Sequence, residues 1–122
     1  MHHTRRMVAR MLIGWALLMA GSVWAQDPVE VGPHIYTVKF ENERVRVSEI
    51  TFKPGDAIAM HSHPDHFVYV LNGGTLKLSH PDGNAADFTS EAGQVVWIPA
   101  ESHAAVNVGA TEFRGLVVEL KP

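Results

Sequence analysis

Apolar and polar residues alternate along most of the chain after residue 33, in short runs that end at turn residues. Alternation with a period of two is typical of strands that bury one face. No stretch after residue 25 has a helical period. The pattern therefore predicts an all-β sandwich or barrel. Its expected strands are about nine in number and span 34–40, 44–52, 57–63, 66–71, 75–79, 86–89, 94–98, 103–108 and 111–120.

The first 25 residues have a different pattern. Three arginines within the first ten residues precede an apolar run over 11–20, and Val23-Trp24-Ala25 is compatible with signal-peptidase cleavage. The run is shorter than the roughly 20 apolar residues that a transmembrane helix needs. We therefore expect residues 1–25 to be a signal peptide helix that is cleaved, with export across the inner membrane to the periplasm or the exterior. An uncleaved N-terminal membrane anchor is the alternative, and no stable membrane insertion is expected after cleavage.

Composition limits the chemistry of the exported part. The 122 residues include no Cys, which excludes disulfides, thiolate nucleophiles and zinc–thiolate or iron–sulfur sites. All thirteen acidic residues but only seven of the ten basic ones lie in 26–122, which gives that part a formal charge of −6. This charge argues against nucleic acid and anionic lipid as partners. Any metal site must therefore use histidine and carboxylate ligands.

Histidines cluster in one short segment. His61, His63 and His66 lie within six residues, and His103 opens a later predicted strand. Residues i and i+2 of a strand share a face, so His61 and His63 project together, and the break at Pro64-Asp65 lets His66 approach from the next strand. Imidazoles in this arrangement can share one metal ion at roughly 2.0–2.1 Å. A chance cluster of surface histidines is the alternative.

Two stretches resemble the paired motifs of the cupin family. The first has G, five residues, H-x-H and a later G, and the second has G, five residues, P, then H, three residues and N. The matching positions are Gly55, His61, His63 and Gly73 in the first, and Gly93, Pro99, His103 and Asn107 in the second. The resemblance covers roughly residues 44–120. It implies a cupin-like jelly-roll β-barrel over 44–122, with 26–43 as an N-terminal strand and lead-in.

The chain departs from the family pattern at one ligand. The usual cupin glutamate is absent, and His66 stands where that glutamate is expected, with six residues between it and Gly73. The resemblance thus implies a four-histidine variant in which His61, His63, His66 and His103 hold one divalent transition metal ion (Fe, Mn, Ni, Cu or Zn). Asp65 and Glu101 are weaker alternatives as ligands.

Neutral imidazoles leave a metal its full charge, which favours polarisation of a chelating oxygen substrate. By resemblance, we expect a dioxygenase-like oxidoreductase acting on a small enol, diketone or phenolic substrate, with isomerase or lyase chemistry as variants. Glu101 is the best candidate for a catalytic acid–base residue. A non-enzymatic metal or small-molecule binding module and a purely structural barrel are the alternatives.

The alternation of side chains between the two faces of a strand predicts the surroundings of these histidines. Val68 and Val70 should face inward with His66, and Ala57 and Ala59 inward with His61. The outward residues of the fourth strand, Phe67, Tyr69 and Leu71, favour a homodimer. Further expectations concern single residues. Trp97 is expected in the core, with a stacking platform as the alternative, and Asn107 either orients a ligand or ends a strand. The remaining residues are expected on the surface: Arg44, Arg46 and Glu49 on the solvated face of an edge strand, and His34 and His80 exposed.

Overall fold

The computed structural model describes residues 26–122 and consists of two antiparallel sheets. The signal peptide expected over 1–25 lies outside the described residues. Within residues 26–122, no helix is long and apolar enough to cross a membrane. The elements are α1 Pro28–Val31, β1 Tyr36–Glu41, β2 Val45–Phe52, β3 Ala57–His63, β4 His66–Asn72, β5 Gly74–Ser79, β6 Ala85–Ser90, β7 Val95–Ile98, β8 Glu101–Asn107 and β9 Phe113–Leu120.

One turn of helix precedes the strands. The Asp27 side chain caps α1 by accepting a hydrogen bond from the Val29 backbone N–H at 2.9 Å, and Pro28 occupies the first helical turn, where its missing N–H costs nothing. A helix of four residues is too short to produce a periodic pattern, which is why the sequence did not predict it.

Each of the two sheets pairs strands that are distant in sequence. The five-stranded sheet has the order β1-β2-β9-β4-β7, and the four-stranded sheet has the order β3-β8-β5-β6. β2 and β9 pair without interruption from Val45–Leu120 to Phe52–Phe113. The buried apolar side chains of both inner faces meet between the sheets, as in other β-sandwiches. The all-β prediction is confirmed.

An irregularity in β3 changes which side chains point inward. The pairing with β8 shifts between Ile58 and His61, so β3 has one extra residue there. A bulge of this kind reverses the inward and outward alternation. Ile58 is 2% exposed, whereas Ala57 and Ala59 are exposed. The prediction that the two alanines share the inner face with His61 is therefore wrong.

The outer face of the five-stranded sheet is unusually apolar. One row in register crosses all five strands and consists of Phe40, Val47, Val118, Phe67 and Trp97. Trp97 is 53% exposed, because β7 is an edge strand and its inner face carries Val96 and Ile98 instead. The prediction of Trp97 in the core is therefore wrong.

Asn107 closes one end of the barrel. Its side-chain amide donates to the backbone carbonyls of Phe52 at 2.9 Å and Thr111 at 2.8 Å, and its carbonyl accepts from the Gly109 N–H at 2.9 Å. The Asn107 backbone carbonyl accepts from the N–H of Gly55, which adopts φ = 88° in the turn before β3. Of the two expectations for Asn107, these bonds favour the one that ends a strand.

Candidate metal centre

Three strands bring four imidazoles together inside the barrel. β3 supplies His61 and His63, β8 supplies His103, and β4 supplies His66, and each is at most 5% exposed. The possible ligand atoms of His61, His63 and His103 lie within 4.8 Å of one another. The ring of His66 stacks on His63 at 4.2 Å and lies 6.4 Å from His103, measured between ring centroids. The structure therefore gathers three of the expected ligands tightly and places the fourth beside them.

Each of the four rings is anchored through its Nδ1 atom. His61 Nδ1 donates to the Ala59 carbonyl at 2.7 Å, and His66 Nδ1 donates to the Pro64 carbonyl at 2.8 Å. His63 and His103 instead donate from Nδ1 to carboxylates of the chain. A carbonyl can only accept, so His61 and His66 carry their proton on Nδ1 and the lone pair on Nε2. This is the tautomer in which histidine binds a metal through Nε2.

An unpaired nitrogen tests whether the site fits a metal ion. His61 Nε2 is buried and has no hydrogen-bond partner among the described residues. A buried polar atom without a partner costs roughly 1–3 kcal/mol. A cation bound among the imidazoles would satisfy this atom and the other free ring nitrogens. The buried histidines could therefore hold a metal, although the donor set does not select which one.

The electrostatics of the site keep its imidazoles neutral. Burial, together with the neighbouring histidines, lowers the pKa of His61 to about 4 and that of His63 to about 2. Burial also lowers the pKa of His66 and His103, against the raising effect of their hydrogen bonds. Neutral imidazole is the form that coordinates a metal.

Glu101 lies behind His103 and joins it to His80. Its Oε2 accepts from His103 Nδ1 at 2.7 Å and from His80 Nε2 at 3.0 Å. Burial would raise the pKa of Glu101, but the bonds from both histidines lower it. His80 is half-buried in this contact, so the prediction that it is exposed is wrong, whereas His34 is exposed as expected.

Asp65 is occupied elsewhere. Its Oδ1 accepts from the Ala100 N–H at 2.8 Å, and its backbone carbonyl accepts from the Leu120 N–H at 2.9 Å. Its side chain joins the segment just before β4 to the segment just after β7, so it takes no part in the imidazole cluster.

A second carboxylate relay stands behind His63. His63 Nδ1 donates to Glu119 Oε2 at 2.8 Å, and Arg46 Nε donates to Glu119 Oε1 at 2.8 Å. Arg46 also binds both oxygens of Asp27, at 2.8 Å each. The Arg46 side chain is only 15% exposed and β1, not β2, is the sheet edge. The prediction of Arg46 on a solvated edge strand is therefore wrong.

Sequence reasoning missed this relay, but strand parity contains a signal for it. Glu119 shares its face of β9 with buried Phe113 and Val117, and Arg46 shares its face of β2 with Ser48 and Ile50. A charged residue whose side chain points to the same face of a strand as the core residues needs a buried partner. Two such residues on neighbouring strands indicate a buried ion pair.

A cavity extends from the histidines between the two sheets. Its volume is about 390 Å³, and His66 and His103 lie in its wall. The remaining lining is mainly apolar and includes Val68, Val70 and Leu78. The inward orientation of Val68 and Val70 is confirmed. The cavity can hold a small, largely apolar molecule next to two of the imidazoles.

Comparisons with known proteins place the chain in a family. The family model described as cupin domain matches residues 48–119. A cupin domain from Bordetella pertussis Tohama I is 33% identical, with a TM-score of 0.66, and the match covers 72% of this chain and 93% of that one. An uncharacterized conserved protein with a double-stranded β-helix domain from Klebsiella pneumoniae is 26% identical, with a TM-score of 0.58 and 70% and 75% coverage.

A third similar structure is that of an enzyme. The polyketide cyclase RemF from Streptomyces resistomycificus is 26% identical, with a TM-score of 0.54, and the match covers 70% of this chain and 63% of that one. No curated protein matches the chain. The family model covers more than half of the chain, and the matched residues include the strands and turns that carry the histidines. The chain therefore belongs to the cupin family.

Proposed function

We propose that this cupin is an exported, metal-dependent enzyme that oxidises a small enol, diketone or phenolic substrate in a dioxygenase-like reaction. One divalent transition metal ion is held by His61, His63, His66 and His103. The observation that carries this proposal is His61 Nε2, a buried nitrogen without a hydrogen-bond partner among the described residues, in a cluster whose Nδ1 atoms are all engaged.

The bound metal would supply a Lewis acid that polarises a chelating oxygen of the substrate. The residues of the chain orient the substrate and exclude water. Val68, Val70 and Leu78 offer an apolar wall without a charged clamp, which suits a neutral planar molecule. His66 and His103 border the inner end, so the polar edge of the substrate would face them.

The geometry gives Glu101 a positioning part in this function. It holds the proton on His103 Nδ1, and it is absent from the cavity lining. Acid–base catalysis by Glu101 requires a path to the substrate through His103. The sequence-based expectation of a catalytic Glu101 remains a prediction, and the contacts favour control of the His103 ring.

Metal analysis of the untagged protein tests the site. We expect about one transition metal ion per chain, and loss of it in His61→Ala and His103→Ala. His34→Ala is the matched control, because His34 is exposed and its ring donates a hydrogen bond to the Ala57 carbonyl and bonds none of the four imidazoles. His66→Ala separates a three-ligand from a four-ligand site, since only the latter predicts a large loss of affinity. Unchanged metal content in His61→Ala would refute the assignment.

Oxygen consumption by the metal-loaded protein with a panel of enols, diketones and phenols tests the reaction. Turnover that disappears in His103→Ala supports the enzyme. The alternative function is a non-enzymatic binding module, which the preformed apolar cavity also permits. It predicts that small apolar molecules raise the melting temperature of the metal-loaded protein while no member of the panel is consumed.

Export rests on the sequence of residues 1–25. Mass spectrometry of the protein recovered from a cell fractionation would test it. A chain that begins at Gln26 in the exported fraction is the expected result, and a full-length chain in the membrane fraction would favour the N-terminal anchor.

A further inference from the structure

We propose that Arg46 and Asp27 are positioning residues of the metal centre, because they fix Glu119 as the acceptor for His63 and so aim the His63 ring at the other imidazoles. This inference rests on the proposed metal site. It assigns a role to residues that lie outside both histidine motifs.

The relay runs without interruption from the protein surface to the cluster. Asp27 binds Arg46 through two parallel hydrogen bonds of 2.8 Å, Arg46 binds Glu119 at 2.8 Å from Nε and 2.7 Å from Nη2, and Glu119 binds His63 at 2.8 Å. The two outer side chains, Asp27 and Arg46, are 12% and 15% exposed, whereas the two inner ones, Glu119 and His63, are 4% and 1% exposed. Both carboxylates thus share one guanidinium, whose planar fork fixes their orientation.

His63 needs this anchor more than the other histidines do. Backbone carbonyls hold His61 and His66, and their positions follow from the strands themselves. Glu119 is a flexible side chain that can rotate away. Without Arg46 it would be a buried carboxylate with one partner fewer, which is costly unless the side chain moves. Such a movement takes the acceptor away from His63 Nδ1.

A second hydrogen-bond partner competes for His63, so the contact with Glu119 decides which nitrogen of the ring carries the proton. The Tyr36 hydroxyl lies 3.4 Å from His63 Nε2, the nitrogen needed for the metal. When Glu119 holds the proton on Nδ1, Nε2 keeps its lone pair. When Glu119 is displaced, the ring can adopt the other tautomer and donate to Tyr36, which blocks coordination.

The start of the described chain holds Asp27 in place. The Gln26 carbonyl accepts from the Ser62 N–H at 2.8 Å, and the Ser62 hydroxyl donates to Gln26 Oε1 at 2.7 Å. Gln26 therefore lies along β3, the edge of the four-stranded sheet, next to His63. Asp27 also caps α1. These contacts hold the segment that carries Asp27 in a fixed position.

The test compares metal affinity and ring tautomer in the full chain. Zn²⁺ affinity is measured by competition with a chelator, and the His63 tautomer by ¹⁵N chemical shifts of the metal-free protein at pH 7.5. Arg46→Met and Asp27→Asn are the test variants. Arg114→Met is the matched control, because it breaks an arginine–carboxylate contact of 2.6 Å with Glu49 in the same sheet without touching a histidine.

We expect Zn²⁺ affinity to fall about 10-fold in Arg46→Met and less in Asp27→Asn, in line with losses of roughly 10–100-fold for partners of metal-binding histidines. The His63 signals should shift from the Nδ1–H form toward a mixture in both variants, and Arg114→Met should behave as wild type. Arg46→Lys keeps the charge but not the fork, so it should restore the affinity only in part.

Wild-type affinity and tautomer in both Arg46→Met and Asp27→Asn would overturn the inference. If Arg46→Met does not fold, Asp27→Asn, which keeps the Arg46–Glu119 contact, decides by the same two readouts. If wild type binds no Zn²⁺ or other transition metal, the proposed function fails, while the tautomer comparison still tells whether the relay controls His63.

Discussion

The buried neutral histidines should make the metal-free protein unstable in mild acid. In the unfolded chain, a histidine takes up a proton near pH 6.5. In the folded chain, His61 does so only at a pKa of about 4 and His63 at about 2, while His66 and His103 are also shifted downward. Between these values the unfolded state binds more protons than the folded state, so stability falls as the pH falls.

The magnitude follows from the number of protons. One proton taken up on unfolding changes stability by about 1.4 kcal/mol per pH unit. From pH 6.5 to 4, His61 alone removes about 3 kcal/mol, and His61 and His63 together remove about 3 kcal/mol per pH unit near pH 5. The lowered pKa values of His66 and His103 act in the same direction. Glu119 offsets part of this loss, because burial raises its pKa above the ordinary value against the effect of Arg46, so the folded state takes up this proton first as the pH falls. Between pH 7.5 and 5, His61 and His63 remove about 4 kcal/mol, a large share of the typical stability of about 5–15 kcal/mol for a domain.

Urea denaturation of the metal-free protein at several pH values between 5 and 7.5 measures this dependence. The informative quantity is the slope of unfolding free energy against pH, which is insensitive to an overall loss of stability. His61→Ala should reduce the slope between pH 5 and 6 by about 1 kcal/mol per pH unit, and His34→Ala should leave it unchanged. An equal slope in wild type and His61→Ala would refute the reasoning.

Three further predictions concern the barrel itself. Phe113→Ala should lower the free energy of unfolding by about 3–5 kcal/mol in urea titrations, because this 4% exposed side chain lines the cavity and cannot be replaced by its neighbours. Gly73→Ala should cost about 1–3 kcal/mol in the same assay, since the added Cβ would overlap the Ser90 carbonyl oxygen and lie 2.9 Å from Glu91 Cα. Trp97→Glu should convert the homodimer expected from the sequence into a monomer by light scattering if the apolar outer face is its interface, and a monomeric wild type would refute that expectation.

The sequence predicted the strands and the histidines well, because both depend on local spacing. Alternation located each strand to within a few residues, and the two-residue spacing of His61 and His63 put both on the inner face. The prediction of which side chains point inward failed where the pairing of β3 with β8 is irregular. The extra residue between Ile58 and His61 has no mark in the hydrophobic pattern, since alanine is equally acceptable on either face.

The partners of the histidines could not be predicted in the same way. Glu119 is 56 residues from His63, and Arg46 is 73 residues from Glu119. Alternation marks Glu119 and Arg46 as inward-facing, but their contact depends on the pairing of β2 with β9, which are far apart in sequence, and local alternation does not encode that pairing. Similarly, Trp97 is exposed because β7 lies at an edge, which is a property of the strand order.

Asp27 also limits how far the amino terminus can be trimmed. A chain shortened to Pro28 would keep every strand of the barrel and would still have the compact shape and spectrum of the intact protein. It would lack the carboxylate that orients Arg46. A preparation in which only some chains keep Asp27 should therefore show two populations of sites in a metal titration, one tight and one weak. No test of folding would distinguish the two populations.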